Sequence, residues 1–481
     1  MNALYQPLKT REMAAIHETA LRILAEVGVA VSLEEAKSLF ASHGARFASG
    51  RAYFPVTLIE KALAVVPRSF LMAGRETKHD LQISSHCVYL GTGGAALTVL
   101  DLDSEAPRPS TLRDIALLAR LVDGLENIHF YLRPCVPQDI PAETADLNQF
   151  YAALMNTTKH VMAGVFSPEA VRDVMELAAM IAGGREAFER RPFISFVTSC
   201  IISPLQLGSG ITRVLLEVVK NRIPVALSSA PMAGSTSPAT LAGTLAQVHA
   251  EQLAAIVLTQ LASPGAPVLY GAIPSLTDFR TMDYVGGGIE FGMINAAAAQ
   301  MAHFIGVPNY NSAGLTDAKT PDAQAGYEKA FSIALAALAG SNFIHHAAGM
   351  LESMRAVAYE QYVLDNEMIG MALRLLRGME VNEETLAFEA IRECALSGNF
   401  AASTHTVKFM RSEFFQVRVT NRQSRQAWAE DGCLDARERA RKTAQEILRS
   451  HRPQCLDQVT DSAVRRRFDI RLPACDAVIA S

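Results

Sequence analysis

The sequence predicts an α/β fold, a TIM-type (β/α)8 barrel with an N-terminal helical extension and a C-terminal helical tail. Short apolar runs rich in β-branched and aromatic residues recur through the middle of the chain, and helix-like patterns separate them. About seven or eight such units in succession are typical of a closed barrel of parallel strands. The alternative is a doubly wound open sheet, but no G-x-G-x-x-G motif opens a helix after the first strand.

The predicted strands are bounded by glycine, proline or polar residues. They cover residues 128–132, 161–165, 193–198, 225–228, 268–272, 308–312 and 343–347. The clearest helix covers residues 171–182, because Ser167 is a good N-cap residue and Pro168 suits the first helical position. Ser237 is a similar start signal and precedes a long helical pattern over 239–261.

The chain has 481 residues, which exceeds the usual size of a single core, so we expect extensions around the barrel. The predicted organisation is an N-terminal extension over residues 1–105, an α/β barrel core over 106–415 and a C-terminal helical tail over 416–481. Two amphipathic helices (11–27 and 33–43) and a β-like stretch (87–100) are assigned to the extension. The charged helical part of the tail, residues 421–452, is expected to be solvated.

The composition indicates that the ligands are small molecules or proteins. With a net charge of -5 the chain has no global basic field to hold nucleic acid. No uninterrupted stretch of about 18 apolar residues predicts a membrane span, and the polar start does not resemble a secretory signal, so we expect a cytoplasmic protein. The seven cysteines form no C-x-x-C pair, which argues against a disulfide framework or a zinc site. No metal site is predicted.

Polar residues follow the predicted strands, where barrel enzymes carry their catalytic groups. Arg133 follows the first of these strands, and His345 and His346 lie at the end of the last one. Adjacent strand residues face opposite sides, so we expect only one of the two imidazoles to point into the barrel. Glu352 is a candidate to orient His345. A hydrogen-bonded core histidine and ordinary loop chemistry are the structural alternatives.

One stretch is especially dense in donors and acceptors: GLTDAKTPDAQAGYE at residues 314–328 follows a strand end at Asn311. This motif resembles the trimethylamine methyltransferase family. Two further segments agree with the resemblance, AGSTSPATLAGTL at 233–245 and GNF at 398–400 leading to His405. The resemblance covers most of the chain.

The resemblance implies a barrel enzyme that moves a methyl group from a methylated amine to cobalt(I) of a separate corrinoid protein. The chain has no D-x-H-x-x-G motif, the pattern typical of cobalamin ligation. We therefore expect no cofactor bound by this chain itself and a corrinoid (cobalamin) supplied by a partner protein. The region equivalent to pyrrolysine in some relatives, Gly314, Leu315, Thr316 and Asp317, holds ordinary residues. That departure favours a quaternary amine such as glycine betaine, whose nitrogen already carries a positive charge.

A quaternary ammonium group favours aromatic faces. The candidates at strand ends are Phe130, Phe166, Tyr270, Phe279 and Tyr310. If the substrate carries a carboxylate, the candidates to bind it are His345, His346, Arg133 and Asn311. We expect most of the aromatic residues to be core, and the sequence assigns no catalytic residue.

Two other functions remain open: a non-catalytic barrel that binds an amine or a corrinoid protein, and an unrelated barrel lyase with Lys319 as a Schiff-base lysine. The basic stretches 437–442 and 465–467 are either docking sites for an acidic partner or solvated helix faces. Self-association is a further alternative that the sequence does not decide.

Overall fold

The computed structural model describes residues 4–85, 87–453 and 456–473. The end of the predicted tail, residues 474–481, lies outside the described residues, as do Cys455 and Cys475. The remaining five cysteines carry free thiols.

Eight parallel strands form a closed barrel, which confirms the predicted fold class. In chain order they are β1 (Tyr89–Leu90), β2 (Phe130–Leu132), β3 (His160–Ala163), β4 (Ile194–Thr198), β5 (Val225–Ser229), β6 (Val268–Ala272), β7 (Tyr310–Ser312) and β8 (Phe343–His345). The barrel closes because β8 pairs with β1 and a parallel bridge joins Gly91 to Phe130. A second bridge, between Tyr270 and Asn309, joins β6 to β7. All seven predicted strands are present.

A helix follows each strand, as the predicted crossovers require. These helices are α1 (Leu112–Asp123), α2 (Ala142–Leu154), α3 (Pro168–Ala182), α4 (Ser209–Lys220), α5 (Leu241–Ala262), α6 (Ile289–Phe304), α7 (Ala323–Leu338) and α8 (Tyr359–Arg377). Ser167 caps α3 as predicted. Helix α5 begins at Leu241 rather than Ala239, because Ser237 instead bonds the Thr244 hydroxyl and Thr240 becomes the N-cap residue.

Helix α5 is the one helix among the described residues that is long and apolar enough to cross a membrane. In this structure 83% of its most apolar window is buried inside the protein.

Apart from β1, the residues before β2 pack around the barrel and close one of its ends. The extension has helices Thr10–Arg22, Ile23–Val27, Glu34–Ser42 and Val56–Val65 and strands Val29–Val31, Arg46–Ala48, Arg51–Tyr53, Phe70–Met72 and Leu81–Ile83. The last two strands pair, and their side chains join those of Phe130 and Phe343 in one core cluster. The barrel itself starts at β1, inside the 1–105 range assigned to the extension.

The remaining strands belong to loops at the carboxyl ends of the barrel strands. They are Thr98–Leu100, Pro107–Pro109, Ile201–Ile202, Gln206–Leu207, Met232–Ala233, Ser275–Thr277, Tyr284–Val285, Met350–Leu351 and Ala356–Ala358. Together these strands surround the mouth of the barrel and restrict access to its interior. We call them the collar.

Helices beyond α8 form the C-terminal part. They are Glu383–Leu386, Phe388–Ser397, Thr404–Phe409, Arg425–Glu430, Ala436–Ser450 and Gln458–Arg467. Helix Ala436–Ser450 is solvated on one face, as predicted, but its other face packs on α8 and α1 and buries Ala440 and Ala444. Arg437 bonds the buried Glu360 at 3.0 Å, and Arg441 bonds Glu105 at 2.6 Å. These arginines therefore serve internal ion pairs rather than an acidic partner.

Candidate functional site

A cavity of about 490 Å³ opens at the carboxyl ends of the barrel strands. Its apolar wall comes from residues at or just beyond the ends of β2, β3, β4 and β6 and from α4: Leu132, Val165, Val197, Ile273 and Ile211. Its polar groups include Arg133, Tyr310, His345 and His346. The sequence analysis placed candidates at strand ends, and five of them meet in this one cavity: Arg133, Phe166, Tyr310, His345 and His346.

Arg133 is a half-buried cation in the cavity wall. Its guanidinium donates from Nη1 to Oε1 of Gln149 in α2 at 2.7 Å, while its Nε has no hydrogen-bond partner. Burial lowers the pKa of Arg133. The nearest acidic group in α2, Asp146, accepts bonds from the Phe166 backbone and from Gln149. Within the described part of the chain, Arg133 forms no ion pair.

Tyr310 and His345 form the floor of the cavity. Their rings are stacked with centroids 4.0 Å apart, and Tyr310 also lies against Phe343, which stacks on Phe130 deeper in the barrel. The His345 Nδ1 bonds the Asn311 carbonyl oxygen at 2.7 Å. Because a carbonyl only accepts, Nδ1 carries the proton and Nε2 is left with a lone pair. Burial holds the pKa of His345 well below its usual value, so this ring is neutral at pH 7.

His346 also lines the cavity, so the expectation that only one of the two histidines points inward is wrong. Strand β8 ends at His345, and His346 has a left-handed backbone with φ of 64°. The simple alternation of strand side chains therefore does not extend to His346. Its Nδ1 lies 2.8 Å from the Ser312 hydroxyl, and burial lowers its pKa to about 3.

The rim of the cavity contains a strained turn. Glu352, Ser353 and Met354 all have positive φ angles (49°, 51° and 77°), which is unfavourable for residues other than glycine. Ser353 and Met354 line the cavity, as does Arg355, which reaches Asp283 across the rim at 3.3 Å. Glu352, proposed from the sequence to orient His345, instead belongs to this turn.

Several predicted residues lie outside the cavity. The Tyr270 hydroxyl bonds His249 in α5 at 2.9 Å, and the Asn311 amide donates to the Asn295 carbonyl in α6 at 2.6 Å, so both side chains point away from the barrel interior. Phe279 is exposed and contacts Gly234 in the collar. Phe166, by contrast, lines the edge of the cavity and is exposed. Lys319 is exposed and donates to the Asp317 carbonyl, outside the cavity.

The described residues contain no group of three or more His, Cys, Asp or Glu side chains placed to hold a metal ion. The cavity's charged and neutral donors instead suit an organic ligand with one anionic group.

The sequence profile described as trimethylamine methyltransferase (MTTB) matches residues 1–471. The chain belongs to this family. It is 36% identical to the trimethylamine methyltransferase MttB of Desulfitobacterium hafniense, over 94% of this chain and 91% of that protein. It is 32% identical to the glycine betaine methyltransferase of the same species, over 96% of each chain. Among solved structures, a dihydropteroate synthase of Coxiella burnetii is similar with a TM-score of 0.40 and 14% identity, covering 65% of this chain and 100% of that chain.

In this member of the trimethylamine methyltransferase family, the segment Gly314 to Asp317 frames the cavity from outside. Thr316 accepts a backbone bond from Ser353 at 2.8 Å, and the Asp317 carboxylate accepts from the Ser353 hydroxyl. Asp317 also accepts from the backbones of Gly286 and Gly287 at 3.0 and 3.1 Å. The segment thus ties the strained rim turn to the loop that precedes α6.

Gly314 and Leu315 pack beneath this frame. Gly314 has a φ of 76°, and a side chain there would collide with the backbone of Ala347, next to His346. Leu315 is fully buried and contacts Gly286. Two of the four residues in the predicted pyrrolysine-equivalent region, Gly314 and Leu315, are therefore part of the packing beneath the cavity rim.

A buried ion pair supports the same region. Lys329 in α7 lies 3.2 Å from the Asp365 carboxylate in α8, and both side chains are inaccessible to solvent. Lys329 also donates to the carbonyl oxygens of Gly314 and Met350. Burial lowers the pKa of Lys329 and raises the pKa of Asp365 to about 6. The pair ties the loops after β7 and β8 to their helices.

Sequence reasoning missed two contributors to the site. Gln149 holds Arg133 from the middle of α2, where nothing in the local pattern distinguishes it from other polar helix residues. Ser353 and Met354 lie in a turn whose left-handed backbone is unexpected without glycine. Thr316 and Asp317 after β7 indicated a loop that caps a helix. They did not indicate that this loop bonds Ser353 in the rim turn.

Proposed function

We propose that this chain transfers a methyl group from a quaternary amine that carries a carboxylate, as glycine betaine does, to cobalt(I) of a corrinoid bound by a separate protein. The observation that carries the proposal is Arg133, a half-buried guanidinium in the cavity wall that forms no ion pair within the described residues. The other cation of the lining, Arg355, is exposed and pairs with Asp283. The two relatives, a trimethylamine methyltransferase and a glycine betaine methyltransferase, support the substrate class.

Arg133 explains why the substrate should bear a carboxylate. A partly buried charge without an ion-pair partner loses part of its hydration, and a carboxylate that forms two parallel bonds with a guanidinium compensates that loss. Gln149 fixes the Arg133 head group by a bond at 2.7 Å, so little side-chain freedom is lost when a ligand binds.

The floor of the cavity suits the ammonium group. His345 and His346 are neutral at pH 7 because burial lowers both pKa values, so neither repels a cation. The Nε2 lone pair of His345 and the Tyr310 hydroxyl oxygen offer partial negative charge. Phe166 adds an exposed aromatic ring at the edge.

The chemistry requires positioning rather than proton transfer. When the methyl group leaves, the carbon–nitrogen electron pair stays on nitrogen and a neutral tertiary amine results. The acceptor cobalt supplies the electron pair of the new bond and is formally oxidised from cobalt(I) to cobalt(III). No general acid is needed, and holding the methyl group toward the mouth lowers the barrier.

The mouth also offers a surface for the partner that carries the acceptor. Large apolar side chains on different loops surround it and are exposed: Leu97, Phe166, Ile202, Phe279 and Met282. Exposed apolar groups gathered around a binding cavity are typical of a protein-docking surface. A corrinoid protein seated there brings its cofactor to the cavity.

Purified chain, glycine betaine and a reduced corrinoid protein from the same organism test the proposal. We expect loss of the cobalt(I) absorbance, gain of the methylated corrinoid spectrum and one equivalent of dimethylglycine. Phe279→Glu should slow transfer to the protein acceptor, whereas Val459→Glu, an equally exposed control on helix Gln458–Arg467, should not. If betaine binds and no methyl group moves, the chain is a non-catalytic amine-binding barrel instead.

A further inference from the structure

A second apolar surface lies far from the cavity, on the short helices that follow α8. We call it the basal surface. Its large apolar side chains are exposed: Met379, Val381, Leu386, Phe388, Ile391, Leu396, Phe400, Val407, Met410 and Phe414. Leu396 is 96% exposed and Phe388 is 68% exposed. Soluble monomers rarely expose so many large apolar groups on one segment.

The basal surface lies at the end of the barrel opposite to the cavity. Helix α8 begins at Tyr359, near the mouth, and runs down the outside of the barrel to Arg377. Asn366 in α8 already bonds Asn127, which precedes β2 at the closed end. Gly370 lies against Phe415 at the same level. The helices between Arg377 and Phe415 therefore project beyond the closed end.

Because of this position, the basal surface cannot be the docking site of the corrinoid protein proposed for the mouth. A protein that delivers a methyl acceptor must reach the cavity, and a protein bound on the basal surface cannot. The ten side chains expose on the order of 1,000 Å² of apolar surface, estimated from the areas typical of such residues. A standard interface needs about 800 Å² from each partner.

We propose that the basal surface joins two copies of this chain around a twofold axis. Charges of both signs lie among the apolar groups, and Arg392 pairs with Glu389 and Lys408 with Glu384 within the chain. A twofold axis brings the same apolar side chains of the two copies together. The two cavities then open on opposite outer faces of the dimer. Each remains accessible, and the inference does not depend on which substrate the cavity binds.

Sedimentation velocity and light scattering of the full chain test this proposal. We expect twice the chain mass of 52.0 kDa for the wild type. The double variant Phe388→Glu/Leu396→Glu should be a monomer with unchanged circular dichroism, since both side chains are exposed. Val459→Glu and the mouth variant Phe279→Glu should remain dimers.

A wild-type monomer, or a double variant that still dimerises, overturns the proposal. Hydrogen exchange of the unmodified chain provides a second test that does not depend on the folding of a variant. Amides of helix Phe388–Ser397 should exchange more slowly as protein concentration rises, while those of helix Gln458–Arg467 should not change. Equal exchange at all concentrations contradicts a basal dimer.

Discussion

The Tyr310 ring lies nearly parallel to the His345 imidazole, with centroids 4.0 Å apart and an angle of 16° between the planes. The stack continues through Phe343 to Phe130, so the floor of the cavity is the upper end of the barrel core. Tyr310 therefore contributes both to the ligand-binding cavity and to the stability of the barrel core.

Substitution at Tyr310 should separate these two contributions. Tyr310→Phe keeps the stack and should change the free energy of unfolding by less than about 0.5 kcal/mol. Tyr310→Ala leaves a void in the barrel and should cost about 3–5 kcal/mol. Calorimetry should show roughly fivefold weaker glycine betaine binding for Tyr310→Phe, from one lost hydrogen bond. Unchanged affinity would show that the hydroxyl does not contact the ligand.

Buried histidines should make the fold sensitive to mild acid. Burial lowers the pKa of His129 and His160 to about 4, that of His249 and His346 to about 3, and that of His345 well below normal. Their stabilising contribution is complete above the unfolded pKa of about 6.5 and is lost as pH falls toward the folded values. Asp365 acts in the opposite direction, because its pKa is raised to about 6, but it is one group against five.

Urea unfolding at pH 7.5, 6.5 and 5.5 measures this effect. The urea concentration at the unfolding midpoint should decrease as the pH is lowered below 6.5. Each histidine contributes at most about 1.4 kcal/mol per pH unit to the change in the free energy of unfolding. His346→Asn should reduce the slope by close to one proton. A midpoint that is constant or rises on acidification contradicts neutral burial of these rings.

The Lys329–Asp365 pair should be strongly coupled. Lys329→Met leaves a buried carboxylate uncompensated and should cost about 3–5 kcal/mol. The double variant Lys329→Met/Asp365→Leu should lose less than the sum of the single variants, as a double-mutant cycle measures. The exposed pair Lys220–Glu35, with a separation of 2.9 Å, is a matched control and should contribute under about 1 kcal/mol. If the changes in the free energy of unfolding at Lys329 and Asp365 are additive, the two side chains are not coupled and the prediction is wrong.

The rim turn should store backbone strain at Ser353. Ser353→Ala and Ser353→Gly both remove the bond to Asp317, but only glycine relaxes the left-handed backbone. Ser353→Gly should therefore be more stable than Ser353→Ala by about 1 kcal/mol in urea unfolding. Equal stabilities would mean that the turn changes conformation in both variants.

The barrel could be predicted from sequence because its buried strands are continuous apolar runs with clear boundaries. The β-like stretch over 87–100 was predicted, but it was assigned to the extension because the barrel partners of Tyr89–Leu90, Phe343 and Ile344, lie far along the chain. The packed face of helix Ala436–Ser450 was missed for a related reason: the partner of Arg437, Glu360, is 77 residues away. Local patterns do not contain such pairings.

The site was predicted in part for the same reason. Arg133, Tyr310, His345 and His346 stand at strand ends, which barrel geometry brings together. Tyr270 and Asn311 also stand on strands, but their side chains face the helices, and sequence alone does not fix which face each residue takes. The inward turn of His346 depends on a left-handed backbone that propensity does not favour.

The most direct test of the account compares glycine betaine with choline, which carries a hydroxyl in place of the carboxylate. The wild type should demethylate betaine with a kcat/KM at least about 100-fold higher than that for choline, and Arg133→Ala should lose most of this preference. Removing a partly buried cation that has no ion-pair partner should leave the free energy of unfolding unchanged or raised. The exposed control Arg280→Ala should keep the preference. An Arg133→Ala variant that unfolds more easily yet discriminates as the wild type does would contradict Arg133 as the carboxylate anchor.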